Sequence, residues 1–227
     1  MTTYQNYING QFIDAADTHD VINPSTGQVL AHAPSSDIAA VNEAVAAAKA
    51  AQVHWAELPN IERAGYLTAI AAKLRDNVDR FARYLVEEQG KVQALAEVEV
   101  SFTADYFDYM AGWARRLEGE VIPSDRPGEM IFLTYDPIGV VGGILPWNFP
   151  FFLIARKMAP ALLTGNTIVI KPSMETPINA FEFCKIVDEV GLPAGVFNMV
   201  GGSGRKIGEA LTTHPDVGLI SMTGSVD

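Results

Sequence analysis

Residues 140–150 read VVGGILPWNFP, an apolar run that leads directly into a turn bounded by two prolines. An uninterrupted apolar run of this length is typical of a strand that is buried on both faces. Pro146 and Pro150 restrict the backbone of the turn and stiffen it. The stretch therefore predicts a strand over residues 140–145, a rigid loop and, from Phe149, a helix.

The sequence around this strand alternates between short apolar runs and helical patterns. A strand is predicted before it, at residues 130–135, and further strands after it, at residues 167–171, 196–200 and 217–222. Helices are predicted between them, at residues 177–190 and near 205–211. Such alternation produces parallel strands, and ligands bind outside their carboxyl ends. We therefore expect an α/β fold with an open, mainly parallel, Rossmann-like sheet.

The earlier part of the chain carries hairpin and helix signals. Asn9-Gly10 between apolar residues predicts a tight hairpin, and residues 21–30 predict a second one with a longer turn. A helix capped by Asp37 follows, and then helices over residues 60–89 and 93–117.

Glycines are predicted to end the last two of these helices, Gly90 the first and Gly119 the second. The last helix is expected to turn a large apolar stripe inward, as core rather than as a cofactor-binding surface. That stripe comprises Leu95, Val98, Phe102, Tyr106, Tyr109, Trp113 and Leu117.

Composition excludes several classes of protein. The 227 residues contain 16 Lys and Arg against 27 Asp and Glu, a net charge of −11, whereas nucleic-acid surfaces need clustered cations. The most apolar stretch, residues 151–170, is interrupted by charged side chains and cannot span a bilayer. Cys184 is the single cysteine, which excludes an internal disulfide and a cysteine-rich metal site. With no signal-peptide pattern at its start, we expect a cytoplasmic protein without a metal centre.

The turn after the strand at 140–145 carries the candidate catalytic side chain, Asn148. An amide held by a rigid loop can donate a hydrogen bond to a developing oxyanion. The alternative is that Asn148 only caps the helix that follows it. The residues alone favour neither role.

Three other strand ends should lie at the same edge of the sheet. Lys171-Pro172-Ser173 would place a cation near phosphate or ribose oxygens, unless the lysine is simply solvated. Residues 201–208 read GGSGRKIG, with the spacing G-x-G-x-x-x-G from Gly202 rather than the G-x-G-x-x-G of dinucleotide loops. Residues 221–225, SMTGS, add a glycine turn after the last strand.

In this order, the PWNFP, KPS, GGSG and MTGS motifs resemble those of the aldehyde dehydrogenase superfamily. The resemblance extends to NPSTG at residues 23–27 and LPNIER at residues 58–63. Residues 102–106 and 151–158 resemble in particular the lactaldehyde and glycolaldehyde dehydrogenases of that superfamily. The resemblance implies a hairpin and helical layer over about residues 1–119, continuous with an incomplete NAD(P)-binding domain over about residues 120–227.

The resemblance implies oxidation of a small aldehyde to the carboxylic acid with NAD or NADP. A cysteine thiolate attacks the aldehyde, hydride leaves to the nicotinamide, and a water activated by a glutamate releases the acid. Asn148 resembles the oxyanion donor. Arg156 resembles a substrate-facing residue, although a salt-bridged helix position explains it equally well. The implied cofactor-binding residues are Leu145, Pro146, Trp147, Asn148, Lys171, Pro172, Ser173, Met174, Gly204, Arg205, Gly224 and Ser225.

Three departures from the family pattern matter. The family's cysteine and glutamate lie beyond Asp227, so we expect the chain to lack the catalytic domain and to be inactive alone. Cys184, mid-helix and without a histidine within one turn, is expected to be a buried structural residue. Met174 stands where family members that favour NAD usually have a glutamate.

The main interpretation is an enzyme that forms a homo-oligomer when complete, and two rival interpretations compete with it. The first is a non-catalytic module that binds a nucleotide or a full-length paralogue, which would need no nucleophile. The second is an ordinary Rossmann dehydrogenase, which the missing G-x-G-x-x-G disfavours.

Overall fold

The computed structural model describes residues 1–225. Up to residue 111 the strands are β1 (Thr2–Thr3), β2 (Asn6–Ile8), β3 (Gln11–Ile13), β4 (Thr18–Ile22) and β5 (Val29–Pro34), and the helices are α1 (Ile38–Glu57), α2 (Asn60–Arg75), α3 (Val78–Gln89) and α4 (Gln93–Ala111). The later elements are β6 (Glu120–Pro123), β7 (Met130–Leu133), β8 (Val140–Ile144), α5 (Phe152–Leu163), β9 (Thr167–Lys171), α6 (Ile178–Val190), β10 (Phe197–Met199), a π-helical turn (Gly204–Gly208), α7 (Glu209–Thr212) and β11 (Val217–Met222).

The main sheet confirms the α/β fold and its parallel strands. Its order is β11-β8-β9-β10-β2-β3, and β11, β8, β9 and β10 are mutually parallel. The predicted hairpin at Asn9-Gly10 is present, with φ of 52° and 72° at the two turn residues. Its strand β2 pairs antiparallel with β10, so this hairpin extends the main sheet and does not lie in a separate layer.

The core lies on both faces of the sheet. Ile168 and Ile170 of β9 belong to the larger apolar cluster, which includes the helices α2 to α6. Val169, between them, belongs to a second cluster formed with α1, the π-helical turn and α7. The alternation of side chains along a strand thus assigns neighbouring residues to opposite layers. None of the helices within residues 1–225 combines the length and apolarity needed to cross a membrane.

The second predicted hairpin and the Asp37 cap are also confirmed. Strands β4 and β5 pair antiparallel, and β1 adds to β5 in a three-stranded sheet. Asp37 accepts a hydrogen bond from the backbone N–H of Ala40 at the start of α1.

The helix predicted over residues 60–89 is two helices, so that prediction is wrong at Asp76-Asn77. Asn77 leaves the helical conformation, with φ −125° and ψ 20°. Its side-chain amide donates to the carbonyl of Lys73 (2.8 Å), replacing a backbone bond at the end of α2. Apolar spacing continues across the break because both helices face the same core. Gly90 ends α3 with φ 73°, as predicted.

The inward stripe predicted for the next helix is wrong for most of its residues, although Tyr106 and Trp113 are partly buried against the core. Leu95, Val98, Phe102 and Tyr109 are each more than half exposed, and α4 ends at Ala111 rather than Leu117. Its buried face consists mainly of small side chains, with two polar ones: Ala96, Glu99, Val100, Thr103, Ala104 and Phe107. Small residues let α4 approach α2, α3 and α5 closely. The helix has two apolar faces, and periodicity alone cannot show which of them packs against these neighbours.

The strand predicted at residues 130–135 is present as β7, but it does not join the main sheet. It pairs with β6 in a separate two-stranded sheet whose residues are all exposed. Gly119 does not end a helix; a Cβ there would lie 2.2 Å from the carbonyl oxygen of Leu133. Glycine is needed there because β6 starts against the backbone at the end of β7.

Arg63 joins the helical layer to α5. The guanidinium is buried and donates to the carbonyls of Leu163 (3.0 Å), Trp55 (3.2 Å), Ala56 (3.1 Å) and Leu58, and to the Asn60 side chain. These carbonyls lie at the ends of α1 and α5, where no intrahelical N–H is available to them.

We expect Arg63→Met to lower the free energy of unfolding by about 3 kcal/mol, because several buried carbonyls lose their donor. The measurement is urea unfolding followed by the fluorescence of the tryptophans, among which Trp55 is buried. Arg83→Met is the matched control, since Arg83 is exposed and its one ion-pair partner among residues 1–225 is Glu87, one turn away. Equal losses in the two variants would contradict this role of Arg63.

Candidate functional site

The carboxyl ends of the parallel strands lie side by side, as expected, and we call the loops that follow them the rim. Leu145 N donates to Lys171 O (3.0 Å), and Thr223 N donates to Ile144 O (3.1 Å). Val200 N donates to Ile170 O (2.9 Å). Backbone hydrogen bonds therefore hold four motif loops in register at one edge of the sheet.

Asn148 presents its amide donors away from the protein. The backbone N–H of Phe149 donates to Asn148 Oδ1 (3.1 Å). A backbone N–H can only donate, so the oxygen must face it and Nδ2 must point the other way. Within residues 1–225, Nδ2 has no hydrogen-bond partner, and the residue is exposed. The arrangement leaves two N–H groups available to an oxyanion.

The alternative role for Asn148, capping the next helix, finds no support. Helix α5 begins at Phe152, and the N–H groups of Phe151 and Phe152 both donate to Oε1 of Glu99 (3.0 and 3.1 Å). The buried carboxylate of Glu99, from α4, is thus the acceptor at this helix end. Nothing local in the sequence marks Glu99 as a cap for this helix, because it lies 52 residues from Phe151.

The neighbours of Asn148 in the loop differ in exposure. Leu145 is buried and Pro146 is partly buried, whereas Trp147 is 58% exposed. Trp147 therefore stands as an open apolar surface at the rim. Its carbonyl is held by Gln89 (3.0 Å) and, more weakly, by Thr176 (3.4 Å).

Lys171 ends β9 with its ammonium group largely buried. Nζ donates to the carbonyl of Pro172 (2.8 Å), its one partner among residues 1–225. Burial lowers the pKa of Lys171 to about 8. An ammonium held at the rim with donors to spare fits the ribose and phosphate oxygens of a dinucleotide, and a solvated lysine would not be buried.

The loop after Lys171 contains the residue that departs from the family pattern. Met174 is partly buried, and its carbonyl is bound by His19 Nε2 (3.0 Å) from β4. Glu175 is exposed, and its backbone N–H donates to Ser173 Oγ (3.2 Å). The backbone of this loop is therefore held by hydrogen bonds, and its side chains determine which chemical groups a bound ligand would contact.

The glycines of the loop at residues 201–208 serve two purposes. An added Cβ at Gly201 would lie 2.8 Å from the Pro34 carbonyl, and Gly202 has φ +146°, so the fold itself requires both. Gly204 has nothing within 4 Å, and Gly208 has only the Lys171 side chain, at 3.8 Å or more. The space at Gly204 is not needed by the fold, so a dinucleotide can approach the backbone there.

The remaining predicted cofactor residues lie in loops of the rim. Arg205 is exposed in the π-helical turn, which Ser203 caps by accepting from Lys206 N (3.2 Å). Gly224 and Ser225 follow β11, and a Cβ on Gly224 would lie 3.2 Å from Met222 Cε.

Lys157, on α5, contacts a rim loop and was not among the predicted site residues. From α5 its Nζ reaches across β8 to Ser221 Oγ (3.2 Å) and Thr223 Oγ1 (2.9 Å). Gly143 makes room, since a Cβ there would lie 3.4 Å from Lys157 Cδ. Burial, and then the like charge of Arg156, lower the pKa of Lys157 to about 8. A lysine within an apolar helix that packs on the sheet was the signal available.

Arg156 is exposed on α5 and forms no ion pair with any residue from 1 to 225. The salt-bridged alternative for this residue therefore has no partner in the described part of the chain.

Cys184 is buried in α6, its thiol donates to the Ala180 carbonyl (3.4 Å), and burial raises its pKa well above the ordinary value. A neutral, enclosed thiol is no nucleophile. Residues 1–225 bring together no cluster of three or more potential metal ligands.

Comparison with known proteins agrees with this geometry. The model of the aldehyde dehydrogenase family matches residues 12–227. Lactaldehyde dehydrogenase of Escherichia coli (strain K12) is 58% identical over 222 residues, covering 97% of this chain and 46% of that protein. A crystal structure of lactaldehyde dehydrogenase from Escherichia coli superposes with a TM-score of 0.98 at 56% identity, covering 99% of this chain and 48% of that one.

A structure of 3,6-anhydro-L-galactose dehydrogenase in complex with NAP superposes with a TM-score of 0.96 at 40% identity, covering 99% of this chain and 47% of that one. The chain thus spans about half the length of these relatives. With its motifs assembled on one rim and matches of this extent, the chain belongs to the aldehyde dehydrogenase family.

Proposed function

We propose that this chain is the amino-terminal part of an NAD(P)-dependent enzyme that oxidises a small hydroxyaldehyde, such as lactaldehyde or glycolaldehyde, to the carboxylic acid. The observation that carries the proposal is the free amide of Asn148, held in the loop after β8 at the same edge of the sheet as Lys171 and the open glycine loop. The substrate class is supported by the 58% identity to a lactaldehyde dehydrogenase.

The complete enzyme, in this proposal, is a polypeptide in which residues 1–227 are followed by the family's catalytic part. That part supplies the cysteine nucleophile and the glutamate base. It can be provided by a continuing reading frame or by fusion to the corresponding part of the Escherichia coli enzyme. The chain's own contribution spans a helical layer over about residues 1–119 and a nucleotide-binding domain over about residues 120–227, with β2 and β3 completing the sheet of the latter.

Predicted residues at the rim and on α5 then have roles in binding or in the reaction. Nδ2 of Asn148 donates to the oxygen of the aldehyde as the thiolate attacks and negative charge develops there. Arg156, exposed and unpaired within residues 1–225, is free to bind a hydroxyl group of the substrate. Bound NAD(P) supplies the hydride acceptor. Lys171, Met174 and the glycine loop with Arg205 hold its ribose and phosphates.

We propose further that the complete enzyme is a cytoplasmic homo-oligomer. The single cysteine is buried and unbridged, as suits a reducing compartment. The hairpin of β6 and β7 exposes apolar side chains on an unpaired two-stranded sheet, among them Val121 and Phe132, both more than 60% exposed. Exposed apolar strands of this kind are typical of a surface that another subunit covers.

We expect the 227-residue chain alone not to oxidise aldehydes, because Cys184 is buried and no other thiol is present. The measurement is NADH and NADPH formation with lactaldehyde or glycolaldehyde. Steady formation that survives Cys184→Ala would contradict the proposal, since the reaction would then need no family nucleophile. Activity abolished by Cys184→Ala would show instead that this cysteine acts as the nucleophile.

In the complete enzyme, Asn148→Ala should lower kcat by about 10²–10³, the loss typical of one oxyanion donor. The KM for the cofactor should change little, and thermal stability should hold, because the residue caps no helix. A fall in Tm with kcat unchanged would show that Asn148 is only structural.

Cofactor choice should depend on Met174. A carboxylate at this position would accept hydrogen bonds from the ribose hydroxyls and repel the 2′-phosphate of NADP, whereas a thioether does neither. The complete enzyme should therefore discriminate weakly between NAD and NADP. Met174→Glu should shift the ratio of kcat/KM values towards NAD by about 1–3 kcal/mol.

Glu175→Gln is the matched control for that substitution, because Glu175 is adjacent, exposed and already acidic. Both cofactors are measured on each variant at a fixed aldehyde concentration. A wild type that is strongly selective for NAD and loses this selectivity in Glu175→Gln would assign the ribose contact to Glu175 instead.

A further inference from the structure

We propose that Gln89 and Lys91, at the junction of α3 and α4, are positioning residues that fix the direction of the Asn148 amide through the backbone of its loop. The inference rests on the proposed function for what Asn148 does. The contacts that support it are internal to the chain.

Gln89 binds two successive carbonyls of the loop. Its Nε2 donates to Trp147 O (3.0 Å) and to Asn148 O (2.6 Å). Two carbonyl oxygens can only accept, so the amide nitrogen must face them, and the orientation of Gln89 is determined. One side chain thereby fixes the peptide planes on both sides of the Asn148 Cα.

Lys91 binds the same loop from the other side of Gly90. Its Nζ donates to Asn148 O (3.1 Å), pairs with Glu99 and lies 4.3 Å from the centroid of the Phe149 ring. The side chains of Lys91 and Glu99 are only 10% and 1% exposed, so the ion pair is shielded from water. Glu99 in turn binds the N–H groups of Phe151 and Phe152, where the loop becomes helix.

The junction can do this because Gly90 adopts a left-handed conformation. With φ +73°, the chain reverses after α3, so that both residues flanking Gly90 reach the same loop. A Cβ at Gly90 would also approach the Pro24 ring at 3.3 Å.

The loop has little else to hold it between Leu145 and Phe151. Trp147, Asn148 and Phe149 have exposed side chains. Among residues 1–225, the one further hydrogen bond to the carbonyls of Trp147 and Asn148 is the 3.4 Å bond from Thr176 to Trp147 O. A reacting group that is misplaced by about 1 Å can lose about 100-fold in rate. We infer that the carbonyl contacts from Gln89 and Lys91 supply the precision that the Asn148 amide needs.

The test is Gln89→Leu in the complete enzyme, alone and combined with Asn148→Ala. The single substitution should lower kcat about 10-fold and leave the KM for the cofactor within about 2-fold, because the amide is displaced and not removed. In the Asn148→Ala background it should cost no further kcat, since the group it positions is gone. Gln93→Leu is the matched control: Gln93 is exposed on α4, and its side chain hydrogen-bonds within residues 1–225 to Glu97 and not to the loop.

A loss of kcat from Gln89→Leu that is just as large without the Asn148 amide would overturn the proposal, as would no loss at all. Lys91 is tested by Lys91→Met against Lys91→Arg, which keeps the charge and the donor. The arginine variant should retain more than half of kcat and the methionine variant less than one tenth. Equal activities of the Lys91→Arg and Lys91→Met variants would show that Lys91 is not a positioning residue.

Hydrogen exchange of the amides in residues 147–149 provides a readout that does not depend on activity. Gln89→Leu should accelerate it about 10-fold and Gln93→Leu should not, because Gln89 binds this loop and Gln93 does not. If the wild-type enzyme is inactive but Gln89→Leu still accelerates exchange, the proposed function is refuted and the positioning role is supported. If the wild-type enzyme is active and Gln89→Leu does not accelerate exchange, the positioning role alone is refuted.

Discussion

Two buried glutamates bind the amino-terminal ends of the helices that follow the rim loops, and the arrangement of the rim depends on them. Glu99 accepts from the N–H groups of Phe151 and Phe152 before α5, and Glu88 accepts from Ile178 N (2.7 Å) and Asn179 N (2.9 Å) at the start of α6. Neither helix has a side-chain cap from its own preceding residue. Because unpaired N–H groups at a buried helix end are costly, the two carboxylates from α3 and α4 determine where α5 and α6 begin.

The two glutamates carry their charges differently. Glu99 is paired with Lys91, so its negative charge is matched inside the protein. Among residues 1–225, Glu88 forms no ion pair. Burial raises its pKa to about 7, although hydrogen bonds from Asn179 and Ile178 act in the opposite direction. A helix amino terminus carries a partial positive charge, which offsets part of the cost of burying a carboxylate there. The helical layer is thus more than a cover for the sheet, because it fixes both loops that carry the proposed reactive and cofactor-binding groups.

How far the site could be predicted depends on how local each signal is. The motif at residues 145–150 and Lys171 could be assigned to one edge of a parallel sheet, because the strand order of α/β folds makes that edge common to all strand ends. Glu99, Gln89 and Lys91 could not, since each contacts the Asn148 loop across more than 50 residues of sequence. Lys157 could not be predicted for another reason. An isolated charged residue in an apolar helix gives no sign of a particular function, and its partners Ser221 and Thr223 are more than 60 residues away, in and just after β11.

By itself, the sequence determined the family, the alternation of strands and helices, the tight turn at Asn9-Gly10 and the chemistry available at the rim, because these depend on residue type and short-range spacing. Tertiary structure alone decided that β2 pairs with β10, that α4 buries its small side chains and not its large ones, and that β6 and β7 stand apart from the main sheet. It also decided that the Asn148 amide points outward. The physical reason is the same in each case: hydrogen-bond partners and packing faces are chosen among alternatives of similar local energy, and only contacts distant in sequence distinguish them.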